Sequence, residues 1–359
     1  MPNEIFDLII IGAGPSGLFT ALQIEKDLKL LILEKSEVPA QKLLLSAKWR
    51  GNVTNRTADE SHYFPEGKVF VKKAFEHYGV SDFLSFLENH HLAFHEEDFW
   101  RILLDHGAKE FQQCLLTKLQ EKKIPIHFGE SPETIQKNHY FEISTHCWTY
   151  FSKNLLIATG SKSVPSLWSS DLATQVAQQF HLCYEPFYPA LVGFETEKDL
   201  SSLSWSSLIA KGELWIDHKK VSEQTGPILF THRWLSGPVI FNASLRLTEE
   251  QRKKNLIELK VIIKKQDITK RFLWYLGFKQ NKLNTYLFTT KILKTRDFTE
   301  AKVCGWGIHC EELDENFQST KIPWLFFIGE AVNITGETGG FNLQRCWTSA
   351  KCCSNYFSV

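Results

Sequence analysis

The sequence carries no surplus of charge: 41 Lys and Arg stand against 41 Asp and Glu. A general nucleic-acid binder needs a basic excess, so that class is disfavoured and no nucleic-acid partner is expected, although a local basic patch stays compatible. No apolar run approaches the ~18 residues of a membrane span, so no membrane partner is expected either. The apolar start has Glu4 and Asp7 where a secretory leader would be basic, and it runs straight into a glycine motif. It reads as the first core strand of a cytoplasmic protein. The 8 cysteines include no C-x-x-C pair, which argues against a zinc site and against a flavin–disulfide relay. No metal is expected, and the adjacent Cys352 and Cys353 read as free thiols. Internal repeats and low-complexity segments are absent, as is a second G-x-G-x-x-G.

What is present is ordinary in bulk and specific in pattern. A chain of 359 residues, 43% hydrophobic and 23% charged, has room for two or three domains. Phe6 to Ile11 is a short continuous apolar run, as in a strand buried on both faces. Gly12-Ala13-Gly14-Pro15-Ser16-Gly17 follows, then a helix through Ile24, with Pro15 tolerated in its first turn. Lys29 to Leu33 is the next strand and ends at Glu34. In this setting Gly12 permits the tight turn, Gly14 lets backbone approach a pyrophosphate, and Gly17 packs helix on strand. The helix N-terminus faces the phosphates, and Glu34 is placed to accept from the hydroxyls of an adenine ribose.

Further along, Val69 to His95 reads as mostly helical, and Lys123 to Phe128, Tyr140 to Thr145 and Leu155 to Thr159 read as strands. From about Tyr188 to Ile263 the pattern becomes short strands and turns. Gln266 to Phe298 reads as helical and basic. Trp324 to Ile328 is again a strand, and GEAVNITGETGGFNLQ, Gly329 to Gln344, follows it and leads into a final helix. A nucleotide-binding domain built from both chain ends and interrupted in the middle is the expected layout.

The glycines of that last motif decide between NAD and FAD. A plain turn needs one or two glycines; this one has Gly329, Gly336, Gly339 and Gly340. FAD is longer than the pyrophosphate site, and its ribitol and ring need a second cradle. Glu330 suits ribitol hydroxyls, and Gly339-Gly340-Phe341-Asn342 brings backbone N–H groups and a helix N-terminus to a flavin pyrimidine, where negative charge gathers on reduction.

Together IIIGAGPSGL, ATGSKSVPS (Ala158 to Ser166), PALVGF (Pro189 to Phe194), LFTHRWLSGP (Leu229 to Pro238) and GEAVNITGETGGFNLQ resemble a bacterial family. It is the NAD(P)/FAD-dependent oxidoreductase family of bile-acid-reductase-like and aminoacetone-oxidase-like flavoproteins. The resemblance implies an α/β fold: a Rossmann-like FAD-binding domain over 1–187 and 301–359, an inserted β-rich domain over 188–265 and a small helical domain over 266–300. It implies Gly12, Gly14, Pro15, Ser16, Gly17, Glu34, Lys35, Lys42, Arg50, Asn52, Thr54, Ala158, Thr159, Gly160, Gly329, Glu330, Gly339, Gly340, Phe341, Asn342 and Leu343 around the cofactor. NAD(P)H would visit as a transient donor, and the substrate would be a small molecule.

The departures are specific. A family signature of the form S-G-x-G-R-C-N-x-T-N is SAKWRGNVTN here, Ser46 to Asn55, with Ala47, Trp49 and Gly51 in place of glycine, glycine and cysteine. Trp234 and Trp306 also stand where the family has glycine, and the insert is shorter than usual. Either at least two of these three rings reshape the cavity beside the flavin, or they pack in displaced cores.

Two residues are catalytic candidates. Arg50 would neutralise an anion, or else be structural. His232 would donate a proton, or else be a hydrogen-bonded structural histidine. Asn342 and Gln344 suit cofactor or cap hydrogen bonds. His91 and His95, four apart, would share a helix face as a weak metal pair. The run QRKK, Gln251 to Lys254, reads as a solvated face. The leading function is a flavin oxidoreductase passing hydride through N5; the alternatives are a flavin-binding interaction module with little turnover and, disfavoured by the charge balance, a flavin-dependent nucleic-acid modifier.

Overall fold

In the computed structural model, which describes residues 4–65, 67–167, 169–276 and 284–358, two compact units are formed. One comprises 1–187 with 305–359 and the other 188–304.

The first unit is built on β1 (Phe6–Ile11), α1 (Pro15–Gln23) and β2 (Leu30–Glu34). β1 is buried along almost its whole length because parallel strands are covered on both faces. It lies between β2 and the C-terminal half of Thr149–Ile157, in parallel register Ile11↔Leu33 and Ile11↔Ile157. Leu325–Phe327 adds on the far side of that long strand, Ile157↔Phe327. Strands from the start, middle and end of the chain therefore finish side by side, and their carboxyl ends deliver Gly12, Glu34, Ala158 and Gly329 to one edge. Ligands of open α/β sheets bind outside this edge. The sheet is completed by Ile126–Phe128 beside β2 and by the antiparallel strands Phe141–Ser144 and Thr134–Lys137.

The closing helix, Phe341–Tyr356, has one wholly buried ring, Trp347. It stacks on Phe83 at 5.0 Å and meets Phe19 and Phe111 edge-on at 5.3 and 5.5 Å. The sequence pattern placed one helical stretch over 69–95. The chain instead forms Lys68–His77, breaks at Tyr78-Gly79, forms Val80–Asn89, and then enters the strand Phe94–Glu97. His91 and His95 consequently share no helix face. His95 pairs with Asp105 and Glu97 on the surface.

The second unit is a closed six-stranded barrel. Its strands run in the order Phe194–Thr196, Trp234–Ser236, Lys219–Phe230, Ser206–Ile216, Ile257–Lys264 and Thr285–Thr295, the last pairing back to the first. Alternate residues fill the interior, as in Ile257, Leu259, Val261 and Ile263. Two expectations are corrected here. The stretch 266–300 is not a helical domain: Lys270–Leu276 is a helix, but Thr285–Thr295 is a barrel strand. Its outward Lys291 and Lys294 gave the stretch a basic look, while Tyr286, Phe288, Thr290 and Ile292 alternate inward. Nor is QRKK simply a solvated face. Arg252 donates to the carbonyls of Pro189 and Ser244 at 3.0 and 2.9 Å and stacks over Tyr188 at 4.7 Å.

Candidate dinucleotide site at the sheet edge

The three glycines of the first motif meet three different surroundings. Gly12 has φ +110, and a Cβ there would stand 2.6 Å from the Ala158 carbonyl oxygen. A Cβ on Gly17 would stand 2.0 Å from the Gly12 carbonyl oxygen. These two are required by the protein's own packing. Gly14 is different: its φ is −74 and a Cβ would meet only Ala158 O, at 3.9 Å. Its bare face is turned to space that no protein atom occupies. No side chain caps the helix that begins there, and Pro15 takes the first helical position. Glu34 braces this loop, accepting from the Ala13 amide at 2.7 Å through Oε2 and from the Ser36 amide and hydroxyl at 2.9 and 2.8 Å through Oε1.

The far glycine motif lies directly against the near one. A Cβ on Gly329 would come within 2.3 Å of Ser16 Oγ, so only glycine lets the two loops touch. Beside it Glu330, 10% exposed at its side chain, pairs with Lys42 at 2.9 Å, and Ser163 donates to its other oxygen at 3.2 Å. Lys42 also donates to Ser163 at 2.5 Å. Gly160 sits by the same carboxylate, and the neighbouring Thr159 hydroxyl is buried without a hydrogen-bond partner. Lys35 donates to Ser169 O at 2.6 Å, and burial holds its pKa below the usual lysine value.

Three residues of SAKWRGNVTN, Asn52, Thr54 and Asn55, work on the Gly339-Gly340 turn. Gly340 has φ +111, and a Cβ would fall 2.2 Å from Thr54 O. Asn55 donates to Gly339 O at 3.1 Å. Asn52, with its amide oxygen turned toward its donor neighbours, accepts from Gly340 N at 3.2 Å. Thr54 Oγ1 donates to Gln344 at 2.6 Å, Gln344 to Thr348 at 3.2 Å, and Thr348 to Tyr78 O at 2.8 Å, all buried. Asn342 closes the loop by pairing with both backbone groups of Gly336, at 2.9 and 2.8 Å. Phe341 is buried and stacks on His62 at 4.5 Å. Behind it Arg345 is 4% exposed, with Nε and Nη1 lacking partners.

The catalytic candidates are placed less centrally. Arg50 is exposed and pairs with Glu97 at 2.5 Å, which holds that carboxylate below its usual pKa. His232 is exposed in the barrel unit and faces the edge of Trp205 at 6.3 Å. Two of the three tryptophans hold backbone that favours glycine: Trp49 has φ 74 and Trp306 φ 67, a region costly for residues with a Cβ. Ala47, Lys48 and Gly51 share that sign of φ, which explains a glycine-rich signature at this turn. Trp234 is accounted for within the barrel unit, where Arg296 stacks on it at 4.5 Å and Gly193 leaves room for its edge.

This edge geometry, two touching glycine loops on a parallel sheet with a barrel in the insert, agrees with the sequence comparison. The family described as "HI0933-like protein Rossmann domain" matches residues 6–356. The chain belongs to that family. As a member of the HI0933-like family it is similar to the ribosomal RNA dihydrouridine synthase of Escherichia coli strain K12, 26% identical over 98% of each chain. It is also similar to the 3-dehydro-bile acid delta(4,6)-reductase of Clostridium scindens, 23% identical over 95% of this chain and 96% of the other. Among solved structures it shares its fold with a 3-ketosteroid-delta4-(5alpha)-dehydrogenase from Rhodococcus jostii RHA1. The TM-score is 0.56 and the identity 9%, over 99% of this chain and 98% of the other. The likeness to that dehydrogenase is one of fold. No helix among the described residues is long and apolar enough to cross a membrane.

Proposed function

We propose that the chain is an FAD-dependent reductase of carbon–carbon double bonds conjugated to a carbonyl. The observation that carries this reading is the pairing of an open Gly14 with Gly329 pressed on Ser16, which joins a phosphate loop to a second glycine cradle. The residues fit FAD. Gly14 and the α1 N-terminus would take the pyrophosphate, and Glu34 the adenine ribose. Glu330, oriented by Lys42 and Ser163, would take ribitol hydroxyls. The orphaned Thr159 hydroxyl and the Arg345 nitrogens offer polar atoms that the protein itself leaves unused. When bound, FAD supplies a two-electron carrier that accepts hydride from NAD(P)H and delivers it through N5. The chain's part is to hold the ring, with the positive end of the closing helix and Arg345 on the side where charge collects. The names of both relatives describe products or reactions of double-bond reduction, which selects the reaction class.

Purified protein is expected to be yellow, to release FAD on denaturation, and to bleach anaerobically with NADH or NADPH. A colourless protein that takes up no FAD overturns the cofactor. A bound flavin that neither nucleotide reduces and that, once reduced chemically, no enone reoxidises favours the interaction module.

A nucleobase in RNA is the second reading of the substrate, and a specific surface favours it. Phe99 and Trp100 are 50% and 56% exposed and sit at φ 62 and 60, while Trp49 is 63% exposed. Asn55 ties this surface to the glycine turn, donating to both Phe99 O and Gly339 O. Exposed rings held in a strained backbone suit base stacking, worth ~1–3 kcal/mol per base. Trp100→Ala is then expected to lower kcat/KM on a uridine-containing RNA about tenfold or more, with flavin reduction by nucleotide unchanged. Equal activity of the variant and the parent removes this reading and leaves the small-molecule one.

A further inference from the structure

We infer that the chain carries a divalent-metal site, of the kind zinc occupies, at Glu130, His146 and Cys147, apart from the glycine cradle. It needs no assumption about the flavin. Glu130 follows the strand Ile126–Phe128. His146 and Cys147 form the tight turn between Phe141–Ser144 and Thr149–Ile157. One ligand atom from each residue lies within 4.8 Å of the other two. A sulfur, an imidazole nitrogen and a carboxylate oxygen make a borderline-soft donor set that suits zinc better than calcium or magnesium.

Proximity of such groups on a surface is common; the second observation is the state of Glu130. Its residue is 6% exposed, and Oε2 is buried with no hydrogen-bond partner. A carboxylate is costly to bury unless paired, and no lysine or arginine is paired with this one among the described residues. The thiol that faces it is only a weak donor. A cation bound between the three groups would supply the missing partner.

The turn is built to hold its ligands in place. Thr145 N donates to Trp148 O at 2.8 Å, and Thr145 Oγ1 accepts from the Cys147 and Trp148 amides at 3.3 and 3.1 Å. Glu130 is fixed from behind, its amide donating to Glu34 O at 3.0 Å. The His127–Tyr150 pair, joined at 3.0 Å, stands nearby. Three protein ligands leave one position for water. The site would clamp the end of the Ile126–Phe128 strand to the hairpin turn, and its occupancy would be linked to folding.

The test is titration of the chelator-treated full-length chain with cobalt(II), followed by displacement with zinc(II). One equivalent of cobalt is expected, with a cobalt–thiolate charge-transfer absorption that zinc abolishes. Cys147→Ser is expected to lose that absorption, and His146→Ala to weaken binding at least about tenfold. Both positions are exposed, so both variants should fold. Absence of the absorption from the parent protein overturns the site. So does its persistence in Cys147→Ser, which would assign it to another of the 8 cysteines. Glu130→Gln gives an independent reading without metal. Removing a buried charge is expected to raise the melting temperature of the metal-free chain and to abolish its further rise with zinc. An unchanged zinc response in Glu130→Gln also overturns the proposal.

Discussion

Gly14→Ala is expected to leave the fold intact and empty the cofactor site, while Gly340→Ala is expected to damage the fold itself. At Gly14 the backbone has φ −74 and ψ 177, which alanine adopts freely, and the added methyl would have only Ala158 O within 4 Å, at 3.9 Å. Stability should therefore hold or rise by about 0.4–1 kcal/mol, because the unfolded chain loses freedom. The methyl would nevertheless stand on the face where the pyrophosphate must approach backbone, so the variant should purify without flavin. At Gly340 both conditions reverse. The φ is +111 and a methyl would be driven to 2.2 Å from Thr54 O, so a cost of roughly 2–5 kcal/mol is expected from strain and overpacking. Urea unfolding and the flavin-to-protein absorbance ratio of the two variants check the pair. Full flavin content in Gly14→Ala would show that the open face is not a phosphate site. Equal destabilisation by both would make Gly14 a packing glycine.

The difference between these two glycines also marks how far the sequence can be read. G-x-G-x-x-G between a strand and a helix announces itself because its parts are within 30 residues, and the local pattern of apolar runs fixes β1, α1 and β2. Gly329 and Gly340 were legible as glycines too many for a turn, but not what they press against. The Thr54–Gln344 bond spans 290 positions, and no spacing rule reaches that far. The same limit hid Glu130 beside His146 and Cys147, which the fold brings together from strands that are not neighbours in the sheet, without a C-x-x-C. Composition misled at Thr285–Thr295, where outward lysines suggested a basic helix and the inward alternation of period two was the better signal. It misled again at Arg252, whose charge suggested solvent although its guanidinium satisfies the carbonyls of Pro189 and Ser244. Trp49 and Trp306 are the sharpest case. Each holds a left-handed backbone of the kind that favours glycine, which its residue type alone would not suggest.

Trp347→Ala is expected to be the most destabilising single substitution in the closing helix, and its consequence should reach the cofactor. The ring is fully buried and parallel to Phe83 within 2°. Its removal leaves a large cavity that rigid aromatic neighbours fill poorly, at a cost of about 3–5 kcal/mol. The indole also donates to Val53 O at 2.8 Å, and leaving that carbonyl unpaired adds about 1–3 kcal/mol. Trp347→Phe keeps much of the packing and loses the hydrogen bond, so its stability should fall between the parent and Trp347→Ala. Val53 belongs to the strand Asn52–Asn55, whose other residues set the Gly339-Gly340 turn. A loosened strand should therefore release flavin faster. Phe272→Leu, in the core of the barrel unit, supplies the comparison at similar stability loss. Flavin dissociation is expected to quicken in Trp347→Phe and not in Phe272→Leu. Equal rates in the two would mean that the Val53 bond contributes stability alone, and that the turn is held by Thr54, Asn55 and Gln344 without it.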